Sequence, residues 1–72
     1  MILSMVNAGK EVTLVNIKGG QGIRSKLFSL GLVPGVNLKV LNSSGTSGPV
    51  MVAINDTRLA LGQGMAAKII VK

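Results

Sequence analysis

The sequence predicts a mainly β chain, a small and partly open barrel of about five short strands with one brief helix. Three observations predict it. Apolar residues alternate with a period of two in separate runs, as in Val36, Leu38 and Val40 and again in Val50, Val52 and Ile54. Helical spacing occurs once, where Ile23, Leu27, Phe28 and Leu30 recur with Arg24, Ser25, Lys26 and Ser29 between them. Glycine, proline and asparagine punctuate the runs at short intervals. A barrel suits such a chain because closure removes the edges that a flat sheet of apolar strands would expose.

The first strand is expected over residues 11–17, with Val12, Leu14 and Asn16 on one face and Thr13, Val15 and Ile17 on the other. Gly19, Gly20 and Gly22 read as a flexible loop before the helix. That loop is no phosphate cradle, since it lacks the lysine-serine or lysine-threonine pair and no βαβ unit surrounds it. The helix is expected over about residues 21–30, with Phe28 on its buried face.

Leu30-Gly31-Leu32-Val33-Pro34-Gly35 reads as a helix stop followed at once by a tight turn. Gly31 takes the left-handed conformation that ends a helix, so Leu32 packs back on Leu27 in a Schellman-type closure. The proline pushes Val33 towards extended geometry. Pro34-Gly35 then fits the two central positions of a type II turn.

Val36, Leu38 and Val40, alternating with Asn37, Lys39 and Leu41, make the second strand. Residues 42–49 form the one polar, loop-like stretch, its ends drawn together by the neighbouring strands. Val50, Val52 and Ile54 give a third strand, Asn55-Asp56 a two-residue hairpin turn, and Thr57 to Leu61 a fourth. Gly62-Gln63-Gly64 leads into a short helical turn near 63–67, and Ile69 and Val71 close with a last strand.

The chain has 72 residues and reads as a single domain, 1–72, without internal repeats. A core this small supports a net stability of only ~3–5 kcal/mol. No apolar run approaches the roughly 20 residues that span a bilayer. The apolar start, Met1 to Val6, is short and lacks the basic region of a signal peptide. A soluble, cytoplasmic protein is expected. The absence of cysteine excludes disulfides and thiolate metal sites.

Net charge is +6, from eight lysines and arginines against Glu11 and Asp56 alone. Such a surface favours anionic partners. Catalysis is poorly provided for, because there is no histidine or cysteine and an acid–base pair would have to use both carboxylates. Iron, manganese and zinc prefer donors that this chain scarcely has. Met5, Met51 and Met65 offer thioethers but read as adaptable core fillers. Small barrels that bind single strands stack bases on several aromatic rings, whereas Phe28 is the sole aromatic here.

Several residues carry a resemblance. They are Gly9 before the first strand, then Arg24 and Lys26-Leu27 with Leu30-Gly31-Leu32 and Pro34-Gly35, then Gly48-Pro49, and finally Arg58-Leu59-Ala60-Leu61 followed by Ala66, Ile69 and Val71. In this order and spacing the chain resembles the FeoA domain over nearly its whole length. It departs at Lys26, where arginine is common, and at Gly62-Gln63-Gly64, where a more charged short helix is usual.

The resemblance implies an SH3-like barrel and a cytoplasmic accessory role in bacterial ferrous iron uptake. Its partner would be the large permease FeoB, whose cytoplasmic part carries a GTP-binding domain and would hold the protein at the inner membrane. Similar domains close metal-dependent repressors, but this chain has no room for a helix-turn-helix. The expected mode is protein contact, without catalytic residues, cofactor or metal ligands. The preferred docking surface is the basic helix and the turn after it. There Arg24 and Lys26 meet acidic groups of the partner, and Leu32, Val33, Pro34 and Gly35 shape the turn. The alternatives are a basic nucleic-acid-binding barrel and a weak direct binder of transition-metal ions.

Overall fold

The computed structural model describes residues 1–43 and 48–72. Each alternating run becomes a strand, because a period of two puts its apolar side chains on one face. The elements are a 3-10 turn (Leu3–Met5), β1 (Glu11–Ile17), α1 (Gln21–Ser29), β2 (Asn37–Ser43), β3 (Val50–Ile54), β4 (Thr57–Leu61), α2 (Gln63–Ala66) and β5 (Ile69–Val71). All neighbouring strands pair antiparallel in the order β4-β3-β2-β1-β5. Strand β3 shows the pattern most simply: Val50, Val52 and Ile54 are buried, while Met51 and Ala53 are half-buried.

The sheet curls but does not close. Its β5 edge is covered by the start of the chain, where Ile2 bridges Ile70 and the Val71 N–H donates to the Met1 carbonyl at 2.7 Å. Leu3 and Val6 then enter the core. The apolar start of the chain is thus a structural strap, a role that its sequence pattern did not announce. At the other edge, β4 has no further strand beside it among the described residues. The expected removal of edges by closure is therefore only partial. Shortness and the exposed Arg58 blunt the β4 edge instead.

Strand β1 departs from simple alternation. Leu14 pairs with Val71, yet Asn16 pairs with Ile70, so one residue is extra at this step. The bulge resets the faces. Leu14 and Ile17 are both buried, whereas Val15 is 43% exposed and Asn16 also lies on the surface. The expected grouping of Val15 with Ile17 is corrected by that extra residue. Val15→Lys should accordingly change stability by less than about 0.5 kcal/mol, as thermal denaturation would show. A second bulge lies between Val40 and Asn42 in β2.

Helix α1 begins at Gln21, as expected, and takes in Gly22, one of the three glycines read as loop. Gly20 is its N-cap and Gly22 lies inside the first turn, so only Gly19 and Gly20 precede the helix as linker. Ile23 and Leu27, four residues apart, face the sheet, and Leu27 is fully buried. Phe28 is not on the buried face: it is 42% exposed, and Leu30 41%. Each residue advances the helix by about 100°, which carries Phe28 away from the sheet. Leu30 is the C-cap, where the helix has run out.

The closure that follows is a Schellman motif. The Leu32 N–H donates to the Leu27 carbonyl and the Gly31 N–H to the Phe28 carbonyl, both at 3.0 Å. Gly31 has φ +93°, and Leu32 is fully buried. The type II turn follows as expected, with the Val36 N–H on the Val33 carbonyl at 3.1 Å and Gly35 at φ +95°. The Gly35 N–H donates to the Leu14 carbonyl at 2.7 Å, which pins the turn to β1.

The β3–β4 hairpin turns at Asn55-Asp56, with Ile54 paired to Thr57 and Asn55 at φ +54°. Residues 44–47 of the expected polar loop 42–49 lie outside the described residues, and its first two residues, Asn42 and Ser43, belong instead to β2, where pairing with Met51 and Val50 extends the strand. The core gathers side chains from every strand, from α1 and from the strap, and among the described residues it includes no buried polar or charged side chain.

Candidate functional site

The residues expected to dock lie on the outer side of α1 and the turn after it. Arg24 is exposed, and its guanidinium Nη2 donates to Asn16 Oδ1 at 3.2 Å. The same oxygen accepts the Ile17 N–H at 2.8 Å. The bulge in β1 is what presents Asn16 to the helix. An irregularity of the sheet thereby orients a cation on another element.

Lys26 is also exposed, but two positions along a helix correspond to about 200° of rotation. Arg24 and Lys26 therefore occupy opposite flanks of α1 and do not face each other. Lys26 lies in the last turn, where a cation complements the helix dipole. Its carbonyl accepts the Ser29 hydroxyl at 2.7 Å.

The turn residues divide in the same way. Leu32 is fully buried and holds the turn from beneath. Val33 is 39% exposed, and Pro34 and Gly35 are exposed with it. Phe28, Leu30 and Val33 together leave large apolar side chains in water around the end of α1. Scattered exposed apolar residues are normal, and these three surround the helix end rather than share one side of it: Phe28 lies on the Arg24 flank and Leu30, about 200° further round, on the Lys26 flank. Sequence reasoning missed Phe28 and Leu30 as surface residues. The signal was available in the helical angles, which bury only the Ile23–Leu27 pair.

On the same outer face, Gly19, Gln21, Arg24, Ser25 and Phe28 line a shallow groove of about 500 Å³. No carboxylate is among its lining residues. The described residues hold no cluster of three or more acidic, histidine or cysteine side chains that would suit a metal ion. No described helix is long and apolar enough to cross a membrane. This surface offers fixed positive charge and apolar contact.

The FeoA domain family model matches residues 1–72. An Fe(2+) transport protein A from Methanocaldococcus jannaschii is 34% identical over 70 residues, covering 97% of this chain and 83% of that relative. Among solved structures, the crystal structure of an iron uptake regulatory protein, FeoA, is 38% identical with a TM-score of 0.92, covering 100% of this chain and 95% of the other. The FeoA of Stenotrophomonas maltophilia, crystallised with zinc and called a prokaryotic SH3 domain protein, is 22% identical with a TM-score of 0.85, covering 100% of this chain and 89% of that one. That last likeness concerns the fold alone, and it makes the curled five-stranded sheet SH3-like. With a family model spanning every residue and relatives matched across nearly their whole length, the chain belongs to the FeoA domain family, whose role is in ferrous iron transport.

Proposed function

We propose that this protein is a non-catalytic cytoplasmic accessory of ferrous iron uptake that works by docking on a FeoB-type permease, at its cytoplasmic face and GTP-binding region. Iron is then the cargo of the partner. The observation that carries the reading is the exposure of three large apolar side chains, Phe28, Leu30 and Val33, around the end of α1, with Arg24 and Lys26 on the two flanks of the helix.

The division of labour follows from magnitudes. An exposed ion pair contributes only about 0.2–1 kcal/mol, so Arg24 and Lys26 steer and orient the partner. Covering apolar surface is worth roughly 25 cal/mol per Å², so the exposed apolar side chains supply the affinity. Val33, Pro34 and Gly35 present the turn beside them, and Leu32 keeps that turn in place from within.

The test is the double variant Arg24→Glu with Lys26→Glu, titrated against the isolated cytoplasmic region of the permease. Both positions are exposed, so the variant should keep its circular dichroism spectrum. Affinity should fall about tenfold, the sum of two weakened surface pairs and new repulsion. Unchanged affinity in the folded variant would remove this surface from the interaction.

A further inference from the structure

We infer that the groove on the outer face of α1 receives an acidic–apolar peptide segment of the partner, with a carboxylate on Arg24 and the neighbouring apolar side chain on Phe28. The inference rests on the docking reading above and narrows it to one flank of the helix. Three observations support it.

The first is preorganisation. Asn16 Oδ1 holds the Arg24 guanidinium at 3.2 Å, and Asn16 is itself tied to the backbone by the Ile17 N–H. The planar guanidinium has five N–H donors in a fixed fork, and the Asn16 contact engages one of its nitrogens. A cation already oriented loses less freedom on binding a carboxylate.

The second is charge. Lys68 reaches the Gly19 end of the groove, where a Cβ on Gly19 would lie 3.7 Å from Lys68 Cδ. Lys18 is held beside Lys68 by its N–H on the Lys68 carbonyl at 2.7 Å. Neither carboxylate of the chain lines the groove, and Glu11 opens β1 about 20 Å along the strand from Ile17. Arg24 lines the groove, Lys68 reaches its end and no carboxylate lines it, so an anionic ligand complements it and a second copy of this +6 chain does not.

The third is the apolar partner of that charge. Phe28 follows Arg24 by four residues, so the two side chains are neighbours on one face. Both line the groove, and the ring is 42% exposed. One exposed ring beside a cation suits an apolar residue of a polypeptide. A nucleic acid strand would need successive stacking rings.

Isotope-labelled protein titrated by NMR with three probes tests the inference: a peptide of alternating glutamate and leucine, its glutamine–leucine counterpart, and a thymidine oligonucleotide. The glutamate–leucine peptide should shift the amides of Gln21, Arg24, Ser25 and Phe28. Arg24→Gln should weaken it about fivefold, and Phe28→Ser about tenfold, while Lys39→Gln, at an exposed position on β2, should leave it unchanged. Equal loss in all three variants would mean diffuse electrostatics and overturn the inference. So would stronger binding of the oligonucleotide, concentration-dependent self-association through the same amides, or no shift with the peptide at millimolar concentration. The docking reading fails separately. If the permease region binds through Lys26 and not through Arg24 and Phe28, docking stands and the groove assignment falls.

Discussion

Leu32→Ala is expected to leave the protein largely unfolded at room temperature. The Leu32 side chain is fully buried, and it closes the core over the end of α1. Truncating such a leucine costs about 2.7–5 kcal/mol, from lost transfer energy and the cavity left behind. A domain of this size has only ~3–5 kcal/mol to lose. The outcome would appear as loss of the cooperative thermal transition in circular dichroism. Leu32→Met keeps the volume and should cost less than about 1.5 kcal/mol. That second variant separates two roles. Buried Leu32 cannot touch a partner, so folded Leu32→Met should bind the permease region as the parent does. A marked loss of affinity in it would make Leu32 a contact residue after all.

Gly31→Ala is expected to cost about 1–2 kcal/mol, the penalty of a left-handed conformation for a residue with a Cβ. The reason is local. Gly31 sits at φ +93°, and an added Cβ would meet nothing within 4 Å. No clash contributes, so the whole effect is backbone strain at the Schellman closure. With roughly 4–8 °C in melting temperature per kcal/mol for a domain of this length, the shift is readily measured. Gly31→Asn should recover part of the loss, because asparagine tolerates this conformation better. An unchanged melting temperature for Gly31→Ala would show that the helix does not depend on this closure for its end.

The two variants differ because one acts through packing and the other through the chain alone. The same distinction explains what could be read without coordinates. The stop after α1 was legible because Gly31, Leu32, Pro34 and Gly35 each carry a backbone preference or a contact within a few residues. Strand β3 was legible because its pairing keeps strict alternation. The extent of β1 was legible too, but its faces were not, since the extra residue near Val15 depends on how β5 lies against it. The role of Met1 to Val6 was hidden for a related reason. An apolar hexamer without periodicity acquires meaning only from the sheet edge that it covers.

The candidate site divides in the same manner. Arg24 and Lys26 were visible as cations on a helix, and Val33 with Pro34-Gly35 as an exposed turn. Their separation onto opposite flanks follows from helical rotation alone, whereas the exposure of Phe28 and the tie from Asn16 to Arg24 depend on which side of α1 meets the sheet. Family membership rested on the order of short motifs along the whole chain, and those are properties of sequence.

By itself, then, the sequence determined the strand-rich class, the single helix with its stop, and a chemistry without histidine or cysteine. These depend on side-chain period, on φ preferences and on the inventory of functional groups, none of which needs a distant neighbour. Tertiary structure alone decided the two bulges, the open sheet with its strapped edge, and the tie from Asn16 to Arg24. Those follow from contacts between residues far apart in the chain, where packing overrides local preference.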